Sequence, residues 1–313
     1  MRIAFFGTPE FAVPTLAALV RSTHTVVAVV TQPDRPRGRG QRISACPVKG
    51  FAVDHGLPVV QPETLAPDPW EKTLAAWSVE LGVVAAYGKL LPEWLLALPP
   101  RGLINVHASL LPRYRGASPV HRAVMNGDRE TGVTIMRVVK ALDAGPMLAS
   151  RRVPIGPDDR TDAVERVLAT IGAGLLLETV DRLAGGTVHE VPQDDSQATY
   201  APRLRKDEGQ IDWSRPARRI HDQVRGLHPW PHAFTHGPAG RLVIHRTTVL
   251  ADDDSAALPG TVLSPSPSDT LVVAAGRGRL GIVELQAEGG RVLPARTFLA
   301  GHPLPRGTRL GPP

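Results

Sequence analysis

MRIAFFGTPEFAVPTLAALVRSTHTVVAVVT, residues 1–31, holds three elements in a row. Residues 1–6 form an apolar, strand-like run. Residues 10–22, EFAVPTLAALVRS, place apolar side chains near helical spacing. Residues 25–31, TVVAVVT, are a second β-branched run. A strand, a helix and a strand, with the strands apolar on both faces, predict a parallel sheet covered by helices. The alternation continues down the chain. PVV at 58–60, LGVVAAYG at 81–88 and GLINVHAS at 102–109 read as the third, fourth and fifth strands. SPVHRAVMNG at 118–127 is helix-like and stops at Gly127. TGVTIMRVV at 131–139 and MLASRRVPI at 147–155 read as strands six and seven. No helix separates those two, so an antiparallel edge is expected. Residues 162–186 form a long helix ending in Gly-Gly. The expected architecture is a doubly wound, mostly parallel Rossmann-like α/β domain over residues 1–188.

The pattern then changes. Residues 189–206 are polar and poorly periodic and read as a linker. From 207 to 313 one helix-like stretch, PARRIHDQVRGL, precedes short strands such as RLVIHRTTVL, TLVVAA and GIVELQ. Gly, Pro, Asp and Ser clusters separate them. These features predict a small OB-like β-barrel.

Charge is uneven. The chain carries a net +6, and residues 203–313 hold +5 of it. Residues 34–49, DRPRGRGQRISACPVK, form an insert with five basic residues against one acid. Basic charge gathered in one loop and one terminal domain suggests a polyanionic partner. A run of surface arginines without a partner is the plainer explanation of the same charge. The single cysteine, Cys46, excludes an internal disulfide and a cysteine-based metal site. No apolar run reaches the length of a membrane span, and the start does not resemble a secretion signal. The expectation is a cytoplasmic protein with no membrane association.

Several common chemistries are missing. Gly7-Thr8-Pro9-Glu10 follows the first strand and lacks the glycines of a dinucleotide fingerprint. No GxxxxGK(S/T) or HExxH occurs. His228 and His232 in HPWPH have helical spacing, but their prolines forbid the helix, and surface or turn histidines explain them better. Side chains at the strand ends must then supply the chemistry. Asn105 and His107 lie two apart on the fifth strand and so share a face. A buried strand does not take an amide and an imidazole without partners. Asp143, in LDAGP between strands six and seven, can approach from an adjacent strand end. An amide, an imidazole and a carboxylate without a Ser or Cys nucleophile suit acyl transfer from a carrier to an amine. Asn105 and a cationic His107 would donate to an oxyanion, and the carboxylate would hold the imidazolium. A satisfied core histidine and a turn-forming aspartate remain open as alternatives.

NVHASLLPRYRG at 105–116, followed by LDAGP at 142–146, resembles the core motif of the folate-dependent formyltransferase family. FGTPEFAVPTL, TQPDRPRGRG, VVAAYGKLLP, GDRETGVTIM, TYAPRL and IDWSRPA extend the resemblance along the whole chain. They are similar to the branch that formylates methionyl-tRNA. The resemblance implies 10-formyltetrahydrofolate as co-substrate, initiator methionyl-tRNA as acceptor, no metal, and a monomer. It places Asn105, His107 and Asp143 at the catalytic positions. It places Ser109, Leu110, Leu111 and Pro112 on the folate-binding segment. Arg35, Arg37, Arg39, Arg42 and Lys49 fall on the loop that approaches tRNA, which its Gly and Pro content makes mobile without RNA. Tyr114, between Arg113 and Arg115, either stacks on a ligand or packs the loop. Departures from the family pattern are few: KALDAGP, ACPVKG and SVELGVV each replace a more usual stretch. Two other functions fit parts of the pattern. One is formylation of a small nucleotide or sugar amine, which would not need the insert. The other is a silent RNA-binding protein, which would not need to keep Asn105, His107 and Asp143.

Overall fold

The computed structural model describes residues 1–37, 42–238, 240–251, 256–265 and 270–311. In chain order the first half contains β1 (Arg2–Gly7), α1 (Val13–Val20), β2 (Thr25–Val30), β3 (Arg35–Arg37), β4 (Arg42–Ser44), α2 (Pro47–Asp54) and β5 (Val59–Val60). It continues through α3 (Pro67–Ala76), β6 (Leu81–Ala85), α4 (Glu93–Ala97), β7 (Leu103–His107), β8 (Arg115–Gly116) and α5 (Pro119–Asn126). Then come β9 (Glu130–Arg137), β10 (Met147–Pro154), α6 (Thr161–Ala184) and β11 (Tyr200–Ala201). The remainder holds α7 (Ala217–Gly226), β12 (Ala233–Gly237), β13 (Gly240–Ala251), β14 (Val262–Pro265), β15 (Leu271–Ala274), β16 (Arg279–Ala287), β17 (Leu293–Pro294) and α8 (Ala295–Gly301).

Contacts divide the chain into two units. The first comprises Met1–Pro119, Thr131–Pro154 and Glu165–Ala201. The second comprises Val120–Glu130, Ile155–Val164 and Pro202–Pro313. The second therefore recruits two short segments from within the span expected to be catalytic.

The first unit is built on a seven-stranded sheet in the order β10-β9-β7-β6-β1-β2-β5. β1, β2, β5, β6 and β7 run parallel. The chain starts in the middle, winds one way to β5, then crosses to β6 and winds the other way. This is the doubly wound arrangement, with its switch point between β1 and β6. The burial explains why the strands read as unbroken apolar runs: five of the six residues of β1 and of β2, and all of β6, are buried. Such strands are screened on both faces, so no polar alternation survives. α1 takes Pro14 in its first turn, where a missing N–H costs nothing, and buries Leu16 and Leu19. Each such side chain contributes about 1.5–3 kcal/mol relative to exposure.

β9 pairs with β7 antiparallel, as expected for that edge, with His107 opposite Thr134 and Ile104 opposite Arg137. The insert differs from a featureless loop. β3 and β4 form an antiparallel hairpin pairing Arg35 with Ser44 and Arg37 with Arg42. Arg39 lies outside the described residues.

The second unit is an antiparallel sheet, β12-β13-β16-β15-β14, with β17 also paired to β16. Residue 309 bridges to Thr261 beside β14, and residue 311 bridges to His236 on β12. One short segment thus stitches both edges of a curled half-barrel, which removes the hazard of open edges. Its core includes Trp213, Ile220, Val224, Leu242, Leu280 and Phe298. The Trp213 indole N–H donates to Thr235 Oγ1 at 2.9 Å, which allows its burial. Among the described residues no helix is long and apolar enough to cross a membrane.

Candidate active site

Asn105 and His107 occupy one face at the C-terminal end of β7, as their spacing requires. His107 is buried, 5% exposed. Its Nε2 lies 2.9 Å from the Tyr114 carbonyl oxygen. A carbonyl only accepts, so Nε2 carries a proton and donates. Nδ1 is left to face Asp143, whose Oδ2 is 3.7 Å away. That exceeds direct hydrogen-bond range but is close for a charge pair. Asp143 Oδ2 also accepts the Gly116 backbone N–H at 2.8 Å. The Asn105 side chain is half-buried and has no hydrogen-bond partner among the described residues. An amide at a strand end with nothing to bind is a donor in waiting.

The approach of Asp143 has a different origin from the one expected. The ends of β7 and β9 are not adjacent. Because β9 is antiparallel, the 138–146 loop leaves beside Leu103 and Ile104, the far end of β7 from His107. The loop must turn back along β7 to reach the imidazole. Gly145 makes this possible: a Cβ there would sit 1.9 Å from the Arg137 carbonyl oxygen. Asp143 itself takes a left-handed φ of 46°. Strain of this kind persists only where surroundings enforce it.

The surroundings come from the segment read as a linker. The Gln193 side-chain amide donates to both Asp143 O and Gly145 O at 2.8 Å. Its Oε1 accepts from the Arg115 guanidinium at 2.8 and 3.1 Å. Arg115 is buried and also pairs with Asp195 at 2.7 Å. Thr199 Oγ1 accepts the Tyr114 N–H at 2.9 Å, and β11 pairs with β8. Gln193, Asp195 and Thr199 carry no motif. Polar residues in a stretch with no helical or strand period read as solvated, so the sequence held no signal for them.

The loop residues divide by exposure. Ser109 is 0% exposed. Its hydroxyl donates to Arg113 O at 2.6 Å and its carbonyl accepts from Thr134 Oγ1 at 2.7 Å. Through these two bonds it shapes the loop. Leu111 is buried too, and its N–H donates to Thr134 Oγ1. Leu110 and Pro112 are half-exposed and form the apolar rim. Tyr114 is 6% exposed, with a φ of 63° and the Arg113 guanidinium 5.1 Å over its ring. It packs the loop. Arg115 is likewise structural.

Lys49 has partners within the chain. Its ammonium pairs with Asp34 and donates to Gln61 Oε1 at 2.7 Å. Gln61 in turn donates to Asp34 Oδ1 at 2.9 Å and to Gln32 O at 2.8 Å. The charge is neutralised locally, so Lys49 anchors the base of the hairpin. Arg35 is exposed and keeps its place among candidate RNA contacts. Cys46, next to the hairpin in sequence, is buried and caps α2 through Sγ.

The formyl transferase family profile matches residues 1–180, and the formyl transferase C-terminal domain profile matches residues 203–303. The chain belongs to the formyl transferase family. This formyl transferase is 47% identical over 311 residues to the methionyl-tRNA formyltransferase of Trichlorobacter lovleyi, covering 99% of this chain and 97% of that one. It is 48% identical to that of Methylococcus capsulatus, covering 99% and 100%. Among solved structures it is similar to the N-formyltransferase of Helicobacter canadensis in complex with folinic acid and dTDP-3-aminofucose. There the TM-score is 0.69 at 16% identity, covering 90% of this chain and 98% of that one. Glycinamide ribonucleotide transformylase 1 of Symbiobacterium toebii matches 61% of this formyl transferase and 94% of its own length, at 21% identity and a TM-score of 0.51. At these identities the two structures speak for the fold.

Proposed function

We propose that this formyl transferase moves the formyl group of 10-formyltetrahydrofolate to the amino group of initiator methionyl-tRNA, giving N-formylmethionyl-tRNA for translation initiation. The observation that carries the proposal is identity of 45–48% over nearly the whole chain to methionyl-tRNA formyltransferases, both domains included. The His107–Asp143 geometry supports it.

The residues present fit a formyl carrier. The unpartnered Asn105 amide and the apolar rim of Leu110 and Pro112 suit a polar group on a flat, largely apolar body. When bound, the carrier supplies an electrophilic formyl carbon. Asn105 donates to the negative charge that develops on the formyl oxygen. His107, held by Tyr114 O on Nε2, presents Nδ1 as a second, cationic donor. Asp143 stabilises that cation across 3.7 Å and, through a water beside the pair, takes the proton released by the attacking amine; as the bond between the formyl carbon and the carrier nitrogen breaks, that proton is returned to the carrier nitrogen. All three residues come from one chain, so the site needs no second copy; the reading is a monomer acting in the cytoplasm beside its RNA substrate. Arg35, Arg37, Arg39 and Arg42 of the 34–49 insert, with the basic half-barrel, contact the tRNA.

One assay separates the possibilities. Charged initiator tRNA, charged elongator tRNA, uncharged tRNA and a small sugar amine are offered with 10-formyltetrahydrofolate. Only the first should be formylated efficiently. Asn105→Ala should lower turnover about 10²–10³-fold with tRNA affinity unchanged. Full activity of that variant removes Asn105 from the mechanism. Preference for the sugar amine overturns the acceptor.

A further inference from the structure

His228, His232 and His245 converge in the second unit. His228 and His232 flank the turn between α7 and β12, and His245 lies midway along β13. Ring centroids are 5.4 Å apart for His228 and His232 and 4.5 Å apart for His232 and His245. One ring nitrogen of each lies within 4.8 Å of the other two. These are not the isolated turn histidines expected from HPWPH. His245 is buried, and the other two are half-buried.

The neighbours fix which nitrogens are free. Gln286 Nε2 donates to Gly290 O at 2.8 Å, which orients its amide. Gln286 Oε1 therefore faces His245 Nε2, at 2.9 Å, and that nitrogen must carry the proton. Nδ1 of a neutral His245 then has a lone pair to give. His228 follows the same logic. Its Nε2 faces Asp162 Oδ1 at 3.8 Å, while its Nδ1 is buried with no hydrogen-bond partner. His232 is held at a left-handed φ of 68°, its N–H bonded to Leu227 O at 3.0 Å. A backbone constrained in this way aims the ring.

A buried nitrogen without a partner costs about 1–3 kcal/mol, and an apolar residue would avoid that cost. One cation would give all three rings a partner at once. We propose that His228, His232 and His245 bind a divalent transition-metal cation of the class that prefers imidazole nitrogen, zinc being the fitting member. Asp162 on His228 and Gln286 on His245 serve as the outer partners that such ligands use to set tautomer and ring orientation. Arg160 lies near and opposes a cation, but its Nε is 3.6 Å from Asp162 Oδ1, which balances it. Glu284 adds a further negative charge near His228. Burial lowers His228, and burial and then the neighbouring histidines push His232 down to about 4. The site would be a clip joining the turn after α7 to β13. It is independent of the formyl-transfer proposal.

The test uses the full chain without a histidine tag, stripped by a chelator and dialysed. Zinc is titrated against a chromophoric competitor, and cobalt is titrated with visible absorption as readout. The expected result is one equivalent of either metal per chain, ligand-field bands typical of a low-symmetry cobalt site, and a raised Tm. His232→Asn, which tolerates the left-handed backbone, and His245→Phe, which keeps packing, should each weaken zinc binding at least 100-fold. Gln286→Leu should weaken it about tenfold. Circular dichroism of the metal-free variants establishes folding, and His228→Asn replaces any that does not fold. No uptake by the native chain overturns the proposal. Equal uptake by the native chain and the ligand variants means adventitious surface binding and overturns it too.

Discussion

Asp143→Asn isolates the electrostatic part of the site from its architecture. The two side chains have the same shape. An asparagine Oδ1 can still accept the Gly116 N–H that Asp143 Oδ2 accepts at 2.8 Å, and Gln193 still binds the backbone at 143 and 145. What disappears is one negative charge 3.7 Å from His107 Nδ1. At an effective dielectric of about 20, that attraction is about 4 kcal/mol. The pair is mostly buried, with side chains 6% and 16% exposed, so water screens only part of it. The amide oxygen that keeps the Gly116 N–H also keeps its place near Nδ1, so the substitution changes the charge and not the shape. The expected loss in kcat is about 10²–10³-fold, with KM for tRNA within about twofold and Tm nearly unchanged. Steady-state formylation with saturating folate, paired with a thermal melt, measures both. A kcat within about fivefold of native would refute the charge-pair role, because no step would then depend on the imidazolium. A matching collapse of Tm would instead make Asp143 a structural residue.

Three further substitutions probe different parts of the chain. Gln193→Ala strips donors from two carbonyls and an acceptor from Arg115, about 2–3 kcal/mol in all. It should therefore lower kcat more than tenfold while Gln193→Glu, which keeps only the Arg115 contact, does the same; native kcat in both would mean the loop holds itself. Arg35→Ala, Arg39→Ala and Arg42→Ala combined should reduce the slope of log affinity for tRNA against log salt by about 2–3, whereas Lys49→Ala should leave the slope alone and lower stability. A filter-binding series at several salt concentrations distinguishes the two. Burial pushes the Tyr87 phenol up to about 12, and its hydroxyl has no partner among the described residues. The folded state therefore holds this proton more tightly than the unfolded state, whose value is about 10, so stability is intact below pH 10 and falls as pH rises towards 12. Tyr87→Phe should raise stability by about 1 kcal/mol at pH 8 and flatten that decline, read from denaturant midpoints at pH 8 and 11.

The central sheet was legible because its physics is local. β1, β2 and β6 are screened on both faces, and an unbroken Val, Ile and Ala run has few other ways to be satisfied. Asn105 and His107 were legible for the opposite reason: polar side chains in such a run are costly, so their presence needs a cause. The turn of the 138–146 loop was not legible. Strand polarity at an edge depends on pairing with a distant element, and Gly145 reads as an ordinary turn residue until the Arg137 carbonyl is beside it. Gln193 was hidden for a similar reason. A polar residue in an aperiodic stretch looks solvated, and only its bonds to residues 143, 145 and 115 reveal otherwise. The hairpin arginines and Lys49 have the same charge and neighbouring positions. What separates them is Asp34 and Gln61, whose side chains meet Lys49 only once α2 and β5 are folded.

The site is thus assembled from conformations that would not hold alone. Asp143 and Tyr114 are both left-handed, at φ 46° and 63°, and neither is glycine. Each such residue costs about 1–3 kcal/mol. Gly116, at φ 122°, sits so close to Ala201 that a Cβ would lie 2.8 Å from its carbonyl oxygen. The opposing terms all come from residues 193–201: the Gln193 amide on the Asp143 loop, the Thr199 hydroxyl on Tyr114 N, and the β8–β11 pair. Tyr114 in turn fixes His107, because its carbonyl is the group that sets the tautomer. Two contacts therefore lead from the supposed linker to the proton on the imidazole: Thr199 to Tyr114, and Tyr114 to His107. Since Nε2 is committed to Tyr114, only Nδ1 can exchange a proton or bind an anion. The open nitrogen is thus the one that faces a carboxylate, 3.7 Å away, and this is the arrangement the Asp143→Asn substitution probes.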